Sequence, residues 1–207
     1  MSDLIAGNRE RPADDLLTAL IGVSDDGDQL SEDELLATAY LLILAGYETT
    51  VKLIGNGILA LLRNPAQLAF LRAEPSGLPD AVEEFLRFES PLNIATTRLT
   101  TVPIRIGEVE VPADEFVMIA LLAANHDTDQ FDRPERLDVT RKPNAHLAFG
   151  HGIHYCLGAP LARLEGEIAL GRLLARFESI TLDETATLQY RNSTLMRGLR
   201  ALPVRLG

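Results

Sequence analysis

The chain has 207 residues, 46% of them apolar and 24% charged, with 30 acidic against 19 basic side chains and a formal net charge of −11. This composition is that of an ordinary globular protein, so it excludes a disordered or low-complexity chain. The acidic excess also argues against nucleic acid and anionic membrane surfaces as partners, because both require clustered Lys and Arg.

The first half of the chain is predicted to be mainly helical. Ser31 and Glu34 form a capping-box pattern at the start of a long helix, which Asn64-Pro65 ends. Glycines at 46, 55 and 57 are expected to interrupt this helix. A turn is expected at 25–28, where the sequence reads Asp-Asp-Gly-Asp. From capping, proline and apolar spacing signals, helices are predicted at 14–21, 31–63, about 65–72 and 79–88.

The second half of the chain is predicted to contain short strands and an irregular stretch as well as a helix. Alternating apolar residues at 102–106 and 109–111 flank Gly107-Glu108, which predicts a β-hairpin. A strand or buried segment is expected at 116–122. No period is evident at 125–150, and a long irregular stretch inside a domain is usually functional. Helical spacing returns at about 157–177, and short strands are expected after it.

Cys156 is the only cysteine, so the chain has no internal disulfide and no Cys-rich zinc site. The N-terminal residues lack the apolar core of a signal peptide. The most apolar stretch, 35–46, is shorter than the roughly 20 residues that a bilayer span needs. We expect a cytoplasmic protein that is not inserted in a membrane.

The most specific chemical pattern is residues 149–158, Phe-Gly-His-Gly-Ile-His-Tyr-Cys-Leu-Gly. Its glycines allow a tight loop whose backbone can approach a large flat ligand. The thiol precedes a predicted helix that has Pro160 just inside it, and a helix N-terminus favours the thiolate. A thiolate is a strong axial ligand for haem iron. The alternatives are a buried structural cysteine, and a zinc site on His151, His154 and Cys156 that lacks a nearby fourth ligand.

This segment matches the haem-binding signature of the cytochrome P-450 family, Phe-Gly-x-Gly-x-His-x-Cys-x-Gly, and the chain resembles the C-terminal half of a bacterial, soluble member. The resemblance implies haem b as the cofactor, with Cys156 as the axial ligand of the iron and His154 at a haem propionate. It also implies a mainly α fold with small β-sheets, of which residues 1–207 form a single partial domain. The other cofactor-binding positions of the loop are Phe149, Gly150 and Gly158.

Glu84 and Arg87 resemble the family's Glu-x-x-Arg pair, and residues at i and i+3 share a helix face. On its own such a spacing is most often a solvated surface pair. In the family the pair is buried and joined by an arginine from the irregular stretch before the haem loop, a role that fits Arg136. Because removing one member of a buried group leaves a charge without a partner, we expect these residues to brace the loop of Cys156.

Residues 45–50, Ala-Gly-Tyr-Glu-Thr-Thr, resemble the family's oxygen-binding groove. A helical glycine beside threonines favours a local distortion, although an ordinary helix with a glycine at a close contact is the alternative. In the family this distortion, at Ala45 and Gly46, makes room for O2 over the iron. The acid and the hydroxyl, at Glu48 and Thr49, would then deliver protons, which is general acid catalysis.

Two further assignments rest on position along the chain. Arg98 follows the Glu-x-x-Arg helix where the family commonly places a propionate-binding arginine, and the alternative is a surface arginine. Residues 92–95 and 193–195 fall where the family's substrate pocket is lined. Asn125-His126-Asp127 departs from the Asn-Arg-Asp that is common in bacterial members.

The resemblance implies a haem-thiolate monooxygenase that inserts one atom of O2 into a small organic substrate, as in the hydroxylation of a secondary metabolite. Because the chain has no flavin or iron–sulfur motif, the electrons would come from a ferredoxin and its reductase. The alternative is a truncated, catalytically inactive haem-binding or relic fragment, since the N-terminal helices and first strands of the family fold are not represented in this sequence.

Overall fold

A computed structural model describes residues 1–22, 24–25 and 28–207 of the chain. Its α-helices are α1 (Ser2–Glu10), α2 (Leu16–Gly22), α3 (Glu32–Arg63), α4 (Pro65–Ala73), α5 (Leu78–Phe88), α6 (Leu121–Ala124) and α7 (Ala159–Arg176). Two 3-10 turns cover Pro75–Gly77 and Gly152–His154. The predicted turn at 25–28 includes residues 26 and 27, which lie outside the described residues.

The strands form two-stranded antiparallel sheets in the described part of the chain. The pair formed by β4 (Ile104–Ile106) and β5 (Val109–Val111) is the hairpin that alternation predicts around Gly107, with Ile104 opposite Val111. The segment expected at 116–122 is a short strand followed by α6. The strands are β1 (Ser24–Asp25), β2 (Asp28–Gln29), β3 (Arg98–Leu99), β4 (Ile104–Ile106), β5 (Val109–Val111), β6 (Phe116–Val117), β7 (Ile180–Leu182) and β8 (Val204–Leu206), paired β1–β2, β3–β6, β4–β5 and β7–β8.

Contacts divide the chain into two compact units, residues 1–48 and 49–207. The single partial domain expected from the sequence therefore stays a prediction. In the first unit, Ser31 and Glu34 form the predicted capping box at the start of α3. The Glu34 carboxylate accepts hydrogen bonds from the Ser31 N–H at 2.9 Å and the Ser31 hydroxyl at 2.8 Å. These bonds lower the pKa of Glu34.

The core of the second unit lies between the second half of α3, α4, α5 and α7. Gly57 of α3 allows a close approach to α5, because a Cβ at this position would lie 3.0 Å from the ring of Phe85. Packing at this density is what holds α5, the helix of Glu84 and Arg87, in place. The buried apolar cluster contains Leu53, Ala60, Leu61, Leu71, Ala81, Val82, Phe85, Leu86, Leu137, Val139 and Leu170.

Helices with small sheets confirm the expected fold class. Among the described residues, no helix combines the length and the apolar character that crossing a bilayer requires. Between α6 and the 3-10 turn at Gly152–His154 the chain forms turns, bends and irregular segments without a helix or a strand, as expected for 125–150. This irregular stretch and the loop after it carry most of the candidate site.

Candidate functional site

The loop around Cys156 is shaped by its glycines and by backbone hydrogen bonds. Gly150 has a φ of +74° and Gly152 a φ of +69°, left-handed conformations that glycine adopts without steric penalty. The Cys156 N–H donates to the carbonyl of Phe149 at 2.9 Å, and the Cys156 carbonyl accepts from the Ala159 N–H at 3.2 Å. Cys156 therefore sits in a closed loop directly before α7, with its thiol exposed.

The surface around this thiol fits a haem. Ile153, Leu157 and Leu161 are exposed to 99%, 86% and 58%. Together they form an exposed apolar face, and a face of this kind indicates a binding surface. A Cβ on Gly158 would lie 3.9 Å from the Cys156 sulfur, so a side chain there would occupy the space beside the thiol. An exposed thiol in an apolar face suits an apolar disc with a metal at its centre. It does not suit the alternative of a buried structural cysteine.

The two residues predicted to bind propionates lie in separate elements. His154 is exposed at the end of the 3-10 turn before Cys156. Arg98 begins β3, and its Nη1 donates to the carbonyl of Thr96 at 3.2 Å. Phe149 packs against the core, which ties the start of the loop to it. The propionate roles of His154 and Arg98 stay predictions.

Glu84 and Arg87 are fully buried and joined by two hydrogen bonds. Arg87 Nε donates to Oε2 and Nη2 to Oε1 of Glu84, each at 2.8 Å. Nη1 of Arg87 also donates to the carbonyls of Asn125 at 2.9 Å and Pro134 at 3.0 Å. The pair thus fastens α5 to the irregular stretch, and a paired, fully hydrogen-bonded arrangement is what buried charges require.

The second guanidinium on Glu84 belongs to Arg141, not to Arg136. Arg141 Nε lies 3.2 Å from Oε2 of Glu84, whereas the side chain of Arg136 is exposed. Arg136 takes part through its carbonyl, which accepts from Arg87 Nη2 at 3.3 Å and from Arg141 Nη2 at 3.2 Å. The prediction placed the right charge five positions too early, because the turn at 133–136 directs backbone oxygens inward.

A second charged group, which the sequence did not reveal, lies beside the first. Glu83 accepts hydrogen bonds from Arg163 Nε at 2.6 Å and Nη2 at 3.0 Å, and it lies 3.1 Å from His146 Nε2. Burial by itself would raise the pKa of Glu83, but the bonds from His146 and Arg163 outweigh it and lower the pKa to about 2. Its partners are 63 and 80 residues away in sequence, so no local spacing signals the group.

The residues of the predicted oxygen groove lie on α3, which runs without interruption from Glu32 to Arg63. Ala45 and Gly46 are exposed, and Glu48 and Thr49 are partly buried. A Cβ on Gly46 would meet nothing within 4 Å among the described residues. The helix therefore shows neither a break nor a close contact at this glycine, and the catalytic roles of Glu48 and Thr49 stay predictions.

The two predicted pocket-lining segments lie against each other. Asn93 N–H donates to the Leu195 carbonyl at 2.8 Å, and its side-chain amide donates to the Thr194 carbonyl at 3.1 Å. Leu92 and Met196 form an isolated β-bridge. Residues 92–95 and 193–195 thus form one continuous edge, and its role in binding substrate stays a prediction.

Comparison with known proteins gives a consistent result. The cytochrome P450 family profile matches residues 77–203. Cytochrome P450 107B1 of Saccharopolyspora erythraea is 54% identical over 208 residues, covering 100% of this chain and 51% of that protein. The 6-deoxyerythronolide B hydroxylase of the same organism is 50% identical, covering 99% of this chain and 51% of that protein.

A solved structure shows the same relationship in three dimensions. The tirandamycin C-bound P450 monooxygenase TamI superposes with a TM-score of 0.94 at 51% identity, covering 100% of this chain and 52% of that chain. The chain spans about half the length of the relatives it matches. It belongs to the cytochrome P450 family, whose members bind haem b.

Proposed function

We propose that the protein containing this chain is a haem-thiolate monooxygenase, which inserts one oxygen atom from O2 into an organic substrate. The observation that carries the proposal is the exposed thiol of Cys156, held in a loop with the family's signature and set in an apolar face. When bound to a thiolate, haem supplies the activation of O2 that such an insertion needs.

Cys156 is the proposed axial ligand, and its backbone is already fixed for that task. The N–H bond to the Phe149 carbonyl and the carbonyl bond from Ala159 hold the residue from both sides. His154 and Arg98 are the proposed donors to the two haem carboxylates. The imidazole of His154 can donate a ring N–H, and the guanidinium fork of Arg98 matches a carboxylate. Gly158 keeps a side chain away from the Cys156 sulfur, and a Cβ on Gly150 would lie 3.4 Å from the carbonyl of His154.

Glu48 and Thr49 are the proposed proton donors of the reaction. A carboxyl group and a neighbouring hydroxyl can pass protons in turn, which is general acid catalysis by a positioned chain. Ala45 and Gly46, one turn earlier on α3, keep small side chains beside them. Glu84, Arg87 and Arg141 act structurally in this proposal, since they bind one another and backbone oxygens instead of substrate.

The proposed substrate is a secondary metabolite, and the proposed electron donors are a ferredoxin and its reductase. Similarity to 6-deoxyerythronolide B hydroxylase and to the tirandamycin C-bound TamI supports a substrate of that kind. The edge formed by 92–95 and 193–195 presents mixed apolar and polar side chains, as expected where a large polyfunctional molecule is oriented. The cytoplasm is the proposed location.

Isotope-labelled O2 tests the proposal. Haem-loaded protein is supplied with reduced ferredoxin and with 6-deoxyerythronolide B or tirandamycin C as probe substrates, and the product is analysed by mass spectrometry. We expect one labelled oxygen atom per product molecule and no product without ferredoxin. Product whose new oxygen comes from water would contradict a monooxygenase.

A further inference from the structure

One guanidinium contacts two aromatic residues of the loop 149–158 that contains Cys156. Arg163 lies on α7, with its Cζ 4.7 Å from the centre of the Phe149 ring and its Nη1 3.2 Å from the Tyr155 hydroxyl. Tyr155 directly precedes Cys156, and Phe149 provides the carbonyl that binds the Cys156 N–H at 2.9 Å. The Phe149 and Tyr155 rings are themselves 6.3 Å apart in an edge-on arrangement.

Arg163 is in turn held by Glu83 of α5. Two parallel hydrogen bonds, at 2.6 Å and 3.0 Å, join the guanidinium and the carboxylate, which is the strongest geometry available to this pair. The bond from Glu83 raises the pKa of Arg163, so the guanidinium keeps its charge. A cation fixed in this way can bind the face of Phe149 and the Tyr155 oxygen at the same time.

His146 completes the group from the irregular stretch. Its Nδ1 accepts the Ala148 N–H at 3.2 Å, which assigns the ring hydrogen to Nε2, the atom 3.1 Å from the Glu83 carboxylate. The His146 ring also lies 5.9 Å from that of Phe149. Glu83 therefore binds one residue just before the loop and one residue just after it.

The neighbouring carboxylates of α5 divide their contacts. Glu84 binds Arg87 and Arg141, together with Asn144 and the backbone N–H of Asp138, all outside residues 149–158. Glu83 reaches the cysteine loop through Arg163. The two groups are thus adjacent in sequence, but they hold different parts of the chain.

We propose that Glu83 and Arg163 are positioning residues for Cys156, which hold Phe149 and Tyr155 of its loop against α5 and α7. This inference rests on the proposed function of Cys156 as haem ligand. In the loop, Arg163 acts through Phe149 and Tyr155. Glu83 acts through Arg163, and also through His146, whose ring lies 5.9 Å from that of Phe149. Loss of either charge lets the loop move, so the Cys156 sulfur is no longer held in one position relative to α7.

The test uses haem-loaded protein with Arg163→Gln, Glu83→Gln and Tyr155→Phe. Because residues that orient a metal ligand typically affect metal binding by tenfold or more, we expect Arg163→Gln to raise the rate of haem dissociation about tenfold. Part of the thiolate signature in the reduced, carbon monoxide-difference spectrum should be lost as well. Tyr155→Phe removes one contact and keeps the ring, so its effect should be smaller.

Arg72→Gln is the matched control. Arg72 also binds α7, through the carbonyls of Leu174 at 2.9 Å and Phe177 at 2.8 Å, but at the end remote in sequence from the loop. Its loss should lower the melting temperature and leave the thiolate signature intact. If Arg72→Gln removes as much of the signature as Arg163→Gln, or if Arg163→Gln removes none, the positioning role is wrong.

Coupling between the two residues gives an independent check. The double variant Glu83→Gln/Arg163→Gln should lose less of the signature than the sum of the two single losses, because both changes break the same Glu83–Arg163 connection. Additive losses would show that Glu83 does not act through Arg163, and would overturn the proposal.

Haem-free protein separates this proposal from the function of Cys156. In Arg163→Gln, hydrogen exchange of the Cys156 amide should be about tenfold faster than in unchanged protein, the factor that corresponds to 1.4 kcal/mol of lost loop stability. If exchange is faster in Arg163→Gln but the unchanged, haem-loaded protein shows no thiolate signature, the positioning contacts are supported and the assignment of Cys156 as haem ligand is contradicted. Unchanged exchange would contradict the positioning contacts.

Discussion

Replacing Glu84 by glutamine should strongly destabilise the protein, because every group around this carboxylate is a donor. Oε1 accepts from Arg87 Nη2 at 2.8 Å and the Asp138 N–H at 3.0 Å. Oε2 accepts from Arg87 Nε at 2.8 Å, Asn144 Nδ2 at 3.1 Å and Arg141 Nε at 3.2 Å. In either orientation the amide NH2 of glutamine would face at least two donors, and two guanidiniums would lose their counter-charge.

The magnitude follows from burial. Both side chains of the Glu84–Arg87 pair are 0% exposed, and breaking such a pair destabilises a protein by about 3–5 kcal/mol. At roughly 2–4 °C per kcal/mol for a domain of this size, the melting temperature should fall by about 6–20 °C. Circular dichroism melts measure the fall, and haem content should decrease together with folded yield.

Glu89→Gln is the control for this experiment. Glu89 follows α5 and pairs with Arg197, but these side chains are 18% and 33% exposed. A partly exposed pair contributes about 1 kcal/mol or less. If Glu84→Gln melts as high as Glu89→Gln and gives a well-folded holoprotein with only slower turnover, then the bracing role of Glu84 is wrong.

Three further predictions concern other parts of the chain. Thr49→Ala should keep oxygen and electron consumption but divert them to peroxide, which a peroxide assay measures; unchanged coupling to product would count against proton delivery by Thr49. Because the folded pKa of Glu83 is about 2 and its ordinary value is 4.5, its carboxylate stabilises the fold fully above pH 4.5, and this contribution is lost as the pH falls from 4.5 towards 2. Urea unfolding should therefore show Glu83→Gln less stable than unchanged protein by about 1–2 kcal/mol at neutral pH, after allowance for solvent screening, and the difference should vanish in acid; a constant difference would refute it. Residues 1–207 expressed alone expose Tyr40, Leu41, Ile43 and Leu44 of α3, so light scattering should detect aggregation and haem retention should be weak; a soluble, haem-loaded monomer that oxidises a substrate would contradict this.

The helices could be predicted because their signals are local. The capping box at Ser31 and Glu34 and the Asn64-Pro65 stop lie within a few residues of the ends that they determine. Pro79 in the first turn and the apolar spacing likewise place α5 at Leu78–Phe88. The glycines of α3 did not predict its course. The helix continues through Gly46 without a break, and Gly57 is the only glycine of α3 whose Cβ would meet a packed neighbour in the part of the chain that the structure describes.

The charged contacts could not be predicted, because they depend on how an irregular stretch folds back. Arg141 reaches Glu84 from 57 residues away, and nothing in its spacing distinguishes it from Arg136. The same holds for Arg163 and His146 at Glu83. Periodicity has a similar limit: Leu161 and Leu164 have the spacing of a core face, yet the structure leaves them exposed.

The central claim is that Cys156 holds the haem iron as a thiolate, and one spectrum tests it most directly. The reduced, carbon monoxide-difference absorption spectrum is recorded for unchanged protein and for Cys156→Ala at equal haem content. We expect the thiolate signature in the unchanged protein and its complete absence in the variant, because Cys156 is the only thiol in the loop 149–158. A thiolate signature that persists in Cys156→Ala would contradict the assignment of the ligand.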